Sequence, residues 1–134
     1  MGYRCERDAL GEKRIDERVY WGIHTERARE NFFLSGVRMS PSLIQALAAV
    51  KKACAEANAE LGYLSAENAR VIRQACDEIC AGGHPDQFPL DACQGGAGTS
   101  ANMNLNEVIA NRALELLGSA RGAYELIHPI ETVN

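Results

Sequence analysis

QGGAGTSANMNLNEVIANRALELLG (residues 94–118) decides how the rest of the chain is read. Gly95, Gly96, Ala97 and Gly98 precede two hydroxyls, Thr99 and Ser100, which open a helix. Leu105, Ile109, Ala113 and Leu116 recur on one side of it, and Gly118 stops it. Glycines let a backbone approach a ligand closely, and a helix N-terminus offers unpaired N–H groups at its positive dipole end. With two hydroxyl donors added, the loop reads as an anion site that a carboxylate or a phosphate could use. The asparagines that follow are unusual. Asn102 and Asn106 share a face and Asn104 lies beside them, although asparagine is a poor interior helix former. They mark either a buried polar network or ligand site, or a solvated face behind a hydroxyl cap. Nucleotide readings fit poorly. Gly96–Ala101 formally spells G-x-G-x-x-A, but no convincing strand precedes it, and a P-loop would need a lysine before the final hydroxyl.

Working outward, strong helix formers dominate the middle of the chain. A helix is expected from Ser40-Pro41 to Gly62, serine as N-cap and proline at the first helical position. Leu43, Leu47, Val50, Cys54, Ala57 and Leu61 recur along it at spacings of four and three, a narrow apolar seam like those in long bundles. A second helix is expected from Ser65 to about Ala81, with Ala69, Ile72, Cys76 and Ile79 on one face, packed antiparallel to the first. Residues 83–98 read as a loop and 119–134 as an irregular connection. At the start, Gly11 and GEKRIDER suggest a turn and short hairpin, and a short helix follows Thr25. The fold class is mainly α: packed helices with a short irregular or hairpin N-terminal segment.

The 134 residues are 46 % hydrophobic and 24 % charged, which suits one folding unit. A formal net charge of −4 argues against nucleic acid, whose phosphates need a basic face. No apolar run reaches the ~18 residues that a membrane span requires. The first residues hold no apolar stretch of a secretory signal, so a cytoplasmic location is expected. Five scattered cysteines fit reduced, buried thiols. Cys76 and Cys80 share a helix face, but a zinc site would need two more donors at a familiar spacing, so no metal and no cofactor are expected. Of the three histidines, His84 reads as solvent-facing and His24 as capping or packing. His128 has Glu131 three residues on, as an orienting carboxylate or a chance pair.

The loop also carries a resemblance. QGGAGTSANMNLNEVIANRALELLG closely resembles the first signature region of the aspartase/fumarase superfamily. ERDALGEKRIDERVYWGIHTERARENF is similar to the family's opening, VKKACAEANAELG to its first long helix and HPIETVN to its next region. Gly95–Ser100 and His24-Thr25-Glu26-Arg27-Ala28 resemble the aspartate ammonia-lyases more than the class II fumarases, which are the alternative. The resemblance implies reversible elimination of ammonia from L-aspartate to give fumarate. It implies that Thr99, helped by Gly98 and Ser100, binds the substrate β-carboxylate, that Asn102 supports it, and that Arg27 contributes to activity. It further implies that residues 1–134 are the N-terminal domain of a longer homotetrameric lyase, whose catalytic base lies beyond Asn134. Alone, the chain would then be inactive. A stand-alone module that only binds dicarboxylates is the other reading. Family members commonly place H-P-N-D-x-V-N where this chain has His128-Pro-Ile-Glu-Thr-Val-Asn134, so a second dicarboxylate site there is not expected.

Overall fold

The computed structural model describes residues 2–134. A hairpin of β1 (Tyr3–Asp8) and β2 (Gly11–Asp16) leads into α1 (Ile23–Asn31), α2 (Pro41–Glu60), α3 (Ala66–Cys80) and α4 (Thr99–Leu116). The strands are antiparallel, Tyr3 opposite Asp16 and Asp8 opposite Gly11. Helices and hairpin lie where the sequence places them, except that α1 begins two residues before Thr25. The connection after α4 is less irregular than its sequence suggests, because Pro129–Val133 closes a single helical turn against α4.

Ser65 caps α3 as expected, its hydroxyl accepting from the Asn68 N–H at 3.1 Å. Two ion pairs, Lys52–Asp77 and Arg73–Glu56, fix α2 and α3 antiparallel, since one pairs early with late and the other late with early. The face of α2 that packs within the domain is not the leucine-valine seam. Leu43, Val50 and Leu61 are 47 %, 58 % and 68 % exposed, whereas Ala48, Lys51 and Ala55 are buried. Alanines let two helices approach closely, so α3 docks on the alanine side and the leucine-valine seam faces outward.

α4 is the central helix. Every residue from Asn104 to Ala110 is buried, and Leu105, Val108, Ile109, Ala113 and Leu114 pack with Val71, Ile72, Cys76 and Ile79 of α3, and with Ile15, Trp21, Phe88, Leu90 and Ile127. A helix covered on all sides is core, whatever its polar content. Thr99 at its start is exposed, and Arg112, Glu115 and Leu116 toward its end are half-buried. The cysteines form no disulfide, and burial pushes the Cys76 thiol up to about 12. Cys5 and Cys93 are exposed, so burial is not general among the five, because each sits on a hairpin or loop with nothing packed over it.

Candidate functional site

Gly98 stands at the N-cap of α4 with φ 71°, a left-handed conformation that a side chain would strain. The hydroxyl cap of the solvated-face alternative is not formed. Instead the Gln94 Oε1 accepts from the Ala101 N–H at 2.8 Å while its Nε2 donates to the Asp91 carbonyl at 3.0 Å. Gln94 closes the loop like a strut, a role that nothing in its sequence position announces. The Asn102 N–H reaches the Gly98 carbonyl at 3.1 Å. Among the described residues, the N–H groups and hydroxyls of both Thr99 and Ser100 have no internal partner, with Thr99 exposed and Ser100 half-buried. Four donors therefore stand together at the positive end of an 18-residue helix.

The loop is braced from behind by Asp91, whose carboxylate accepts from the N–H groups of Leu34, Ser35, Gly36 and Cys93 and from the Ser35 hydroxyl. The Ser35 hydroxyl and these N–H groups hold its carboxyl well below the usual aspartate range, against the opposing effect of desolvation. A carboxyl depressed by folding stabilises fully above its unfolded value of 3.8, and that contribution is lost as pH falls toward the folded value. Asp91→Asn is expected to speed amide exchange at residues 34–36 at neutral pH and to flatten the acid limb of the stability curve. An acid limb identical to wild type would show that the brace carries no proton linkage.

α1 forms the neighbouring wall, and two carboxylates from distant elements hold its first turn. Glu107 of α4 accepts from the N–H groups of Gly22 (2.9 Å), His24 (2.8 Å) and Thr25 (3.1 Å) and from the Thr25 hydroxyl (2.5 Å). Glu6 accepts from the Ile23 N–H at 2.8 Å, from Arg4 at 2.7 Å and from the Tyr124 hydroxyl at 3.0 Å. These contacts explain why α1 starts early. Burial raises the Glu107 pKa, and the four hydrogen bonds offset only part of that rise. Sequence reading missed Glu6, Glu107 and Tyr124. The one available signal was a glutamate midway along the helix, directly before the apolar run Val108-Ile109-Ala110.

Of the site residues the sequence suggests, Arg27 and Ser100 meet at one hollow of about 190 Å³, which Asp8 and His24 also line. Arg27 is already engaged. Its Nε and Nη2 form a two-pronged pair with Asp8 at 2.7 and 2.8 Å, and Nη2 also reaches the Gly11 carbonyl at 3.2 Å. It pins hairpin to helix through Nε and Nη2. Asn102 does not face Thr99; its Nδ2 donates to Asn134 Oδ1 at 3.0 Å.

The asparagines form a buried network, not a solvated face. Asn106 joins Asn102 on Asn134 at 3.1 Å, Asn104 reaches the Gln87 carbonyl at 3.0 Å, and Asn111 ties Tyr20, Gly122 and Tyr124 together. His84 is not solvent-facing: its Nε2 lies 2.6 Å from Glu78 and its ring meets Tyr20 edge-on, because Glu78 is held in place by a two-pronged Arg112. His128 Nδ1 accepts from the N–H groups of Ile130 and Glu131, so Glu131 serves it through backbone and not through its carboxylate. Among the described residues, no three His, Cys, Asp or Glu side chains converge as a metal site would require, and no helix is long and apolar enough to cross a membrane.

The domain is mainly helical, and its central helix begins on a glycine at a surface loop. The profile of a family described as lyase matches residues 11–134, and the chain belongs to that family, the aspartase/fumarase superfamily. It is 52 % identical over 132 residues to a class II fumarate hydratase of Halobacterium salinarum and 53 % identical over 131 residues to an aspartate ammonia-lyase of a Bacillus species. Each alignment covers 98 % of this chain and 28 % of the relative, so the chain spans little more than a quarter of their length. Among solved structures, a fumarate lyase:delta crystallin from Brucella melitensis superposes with a TM-score of 0.97 at 53 % identity, covering 99 % of this chain and 31 % of the other. The class II fumarase of Schistosoma mansoni gives 0.93 at 35 % identity, over 99 % of this chain and 28 % of its own.

Proposed function

We propose that this chain is the N-terminal domain of a longer aspartate ammonia-lyase, which reversibly eliminates ammonia from L-aspartate to give fumarate. The observation that carries the reading is the set of four free donors at Thr99 and Ser100. Removing the proton beside the β-carboxylate turns that group into an aci-carboxylate with two negative oxygens. Preorganised donors on a rigid helix start stabilise such charge as it develops, the same demand an oxyanion hole meets. Thr99 binds the β-carboxylate, with the Gly98 and Ser100 backbone beside it. Arg27 acts by pinning α1 to the hairpin beside Ser100, and Asn102 acts indirectly through Asn134. The protein works as a cytoplasmic homotetramer on small dicarboxylates, without a metal or other cofactor. The base comes from outside residues 1–134, so the 134-residue chain alone is expected to show no turnover.

Class II fumarase is the second reading, favoured by the fumarate hydratase among the relatives at an identity equal to the ammonia-lyase. Ultraviolet absorbance of fumarate formed by the complete protein from L-aspartate and from L-malate separates the two. Fumarate from aspartate alone supports the ammonia-lyase, fumarate from malate alone the hydratase. Fumarate from neither would leave a domain that binds dicarboxylates without converting them, or a lyase for a larger substrate.

A further inference from the structure

Lys51 is the least expected charge in the molecule. It projects from the buried side of α2, only 7 % exposed, and pairs with no carboxylate among the described residues. Burial pushes its pKa down, and its titratable neighbours are the thiols Cys54 and Cys76. A buried ammonium without a counter-ion costs stability, and an apolar side chain of similar length would ordinarily serve the fold as well or better. Its hydrogen bond runs from Nζ to Asn134 Oδ1 at 2.9 Å.

That oxygen is shared. Asn102 Nδ2 and Asn106 Nδ2 donate to it at 3.0 and 3.1 Å, so three donors from two helices converge on one acceptor. Asn106 is wholly buried, and its own Oδ1 has no partner among the described residues, a second uncompensated polar atom in the same cluster. Such a cluster is a poor way to stabilise a core, yet it joins three elements at one point: α2, the first two turns of α4, and the end of the Pro129–Val133 turn. Asn102 lies one helical turn beyond Thr99, roughly 4.5 Å along the axis.

We propose that Lys51 is a positioning residue of the Thr99 site: with Asn102 and Asn106 it clamps Asn134, and so sets the backbone around Asn134 against the entrance of α4. This rests on reading the Thr99 loop as the carboxylate site. Lys51 touches no substrate; it holds the register in which the α4 donors face their ligand.

The test uses Lys51→Met and Asn134→Ala, singly and together, in the complete gene product. With wild-type turnover on L-aspartate or L-malate established, Lys51→Met is expected to lower kcat/KM by about 10- to 100-fold, mainly in kcat, since small misplacements of a donor cost that much. Its melting temperature should stay at or above wild type, which separates positioning from a structural role. The double variant should be no worse than the more impaired single one, because both break the same clamp. Wild-type kcat/KM in Lys51→Met, a loss that tracks a fall in melting temperature, or multiplied losses in the double variant would each overturn the proposal. Hydrogen exchange over residues 128–134 reads the clamp without catalysis and should quicken at least about 10-fold in Lys51→Met; unchanged exchange overturns the clamp itself. Absence of turnover in the wild type, with quickened exchange in the variant, overturns the lyase reading and not the clamp.

Discussion

Thr99→Ala in the complete protein is expected to lower kcat/KM by about 10²–10³-fold while leaving the melting temperature unchanged or slightly raised. The size follows from removing one preorganised donor to a developing oxyanion, worth roughly 2.7–4 kcal/mol of transition-state stabilisation. The absence of a stability penalty follows from the geometry. The Thr99 hydroxyl caps nothing, since Gln94 closes the loop, and the side chain is exposed. Alanine is also the better helix former. Thr99→Ser retains the hydroxyl and should recover most of the loss. Steady-state kinetics beside thermal melts give both readings. A near-wild-type kcat/KM for Thr99→Ala would move the reacting carboxylate away from this helix start.

Gly22→Ala should act in the opposite sense, on the fold itself. A Cβ at Gly22 would sit 2.7 Å from Glu6 Oε2, 2.7 Å from the Tyr124 hydroxyl and 2.9 Å from Glu107 Oε1. Those atoms end side chains, but each is tied into the network that caps α1, so none can retreat without stripping a buried carboxylate of its donors. Overpacking combined with the loss of buried hydrogen bonds puts the expected loss at about 3 kcal/mol or more. Gly36→Ala is the control. Gly36 has a positive φ of 71° but open space around its Cβ, so only the backbone term applies, about 1 kcal/mol. Denaturant melts of the two variants compare steric and conformational costs directly. Equal losses would mean that the carboxylate pair yields easily.

The positions of the helices were legible in the chain because their ends carry local chemistry: Ser40-Pro41, Ser65, and the glycines after α2, α3 and α4. Facing was less legible. In α2 the leucine-valine seam and the alanine side are both apolar, and only the docking of α3 decides which is buried. The donors at Thr99 and Ser100 could be read from glycine spacing and helix polarity. Glu6, Glu107 and Gln94 could not, because each works on a backbone group far away in sequence or across a loop. Arg27 shows the limit from the other side: a residue type suited to carboxylates, taken up here by Asp8 at the end of β1.

α4 is covered from Asn104 through Ala110 and bare at its first turn, and this gives the molecule a built-in gauge. Amides in the covered stretch can meet solvent only when the whole domain opens, so their exchange with deuterium clocks global unfolding. The N–H groups of Thr99 and Ser100, on the same helix, are unprotected and should exchange at close to free-peptide rates. A dicarboxylate that settles on the helix start would slow those two while leaving the slow ones at the pace set by global opening plus the ligand's linkage term. Occupancy and stabilisation would thus be read from opposite ends of a single helix, in one spectrum.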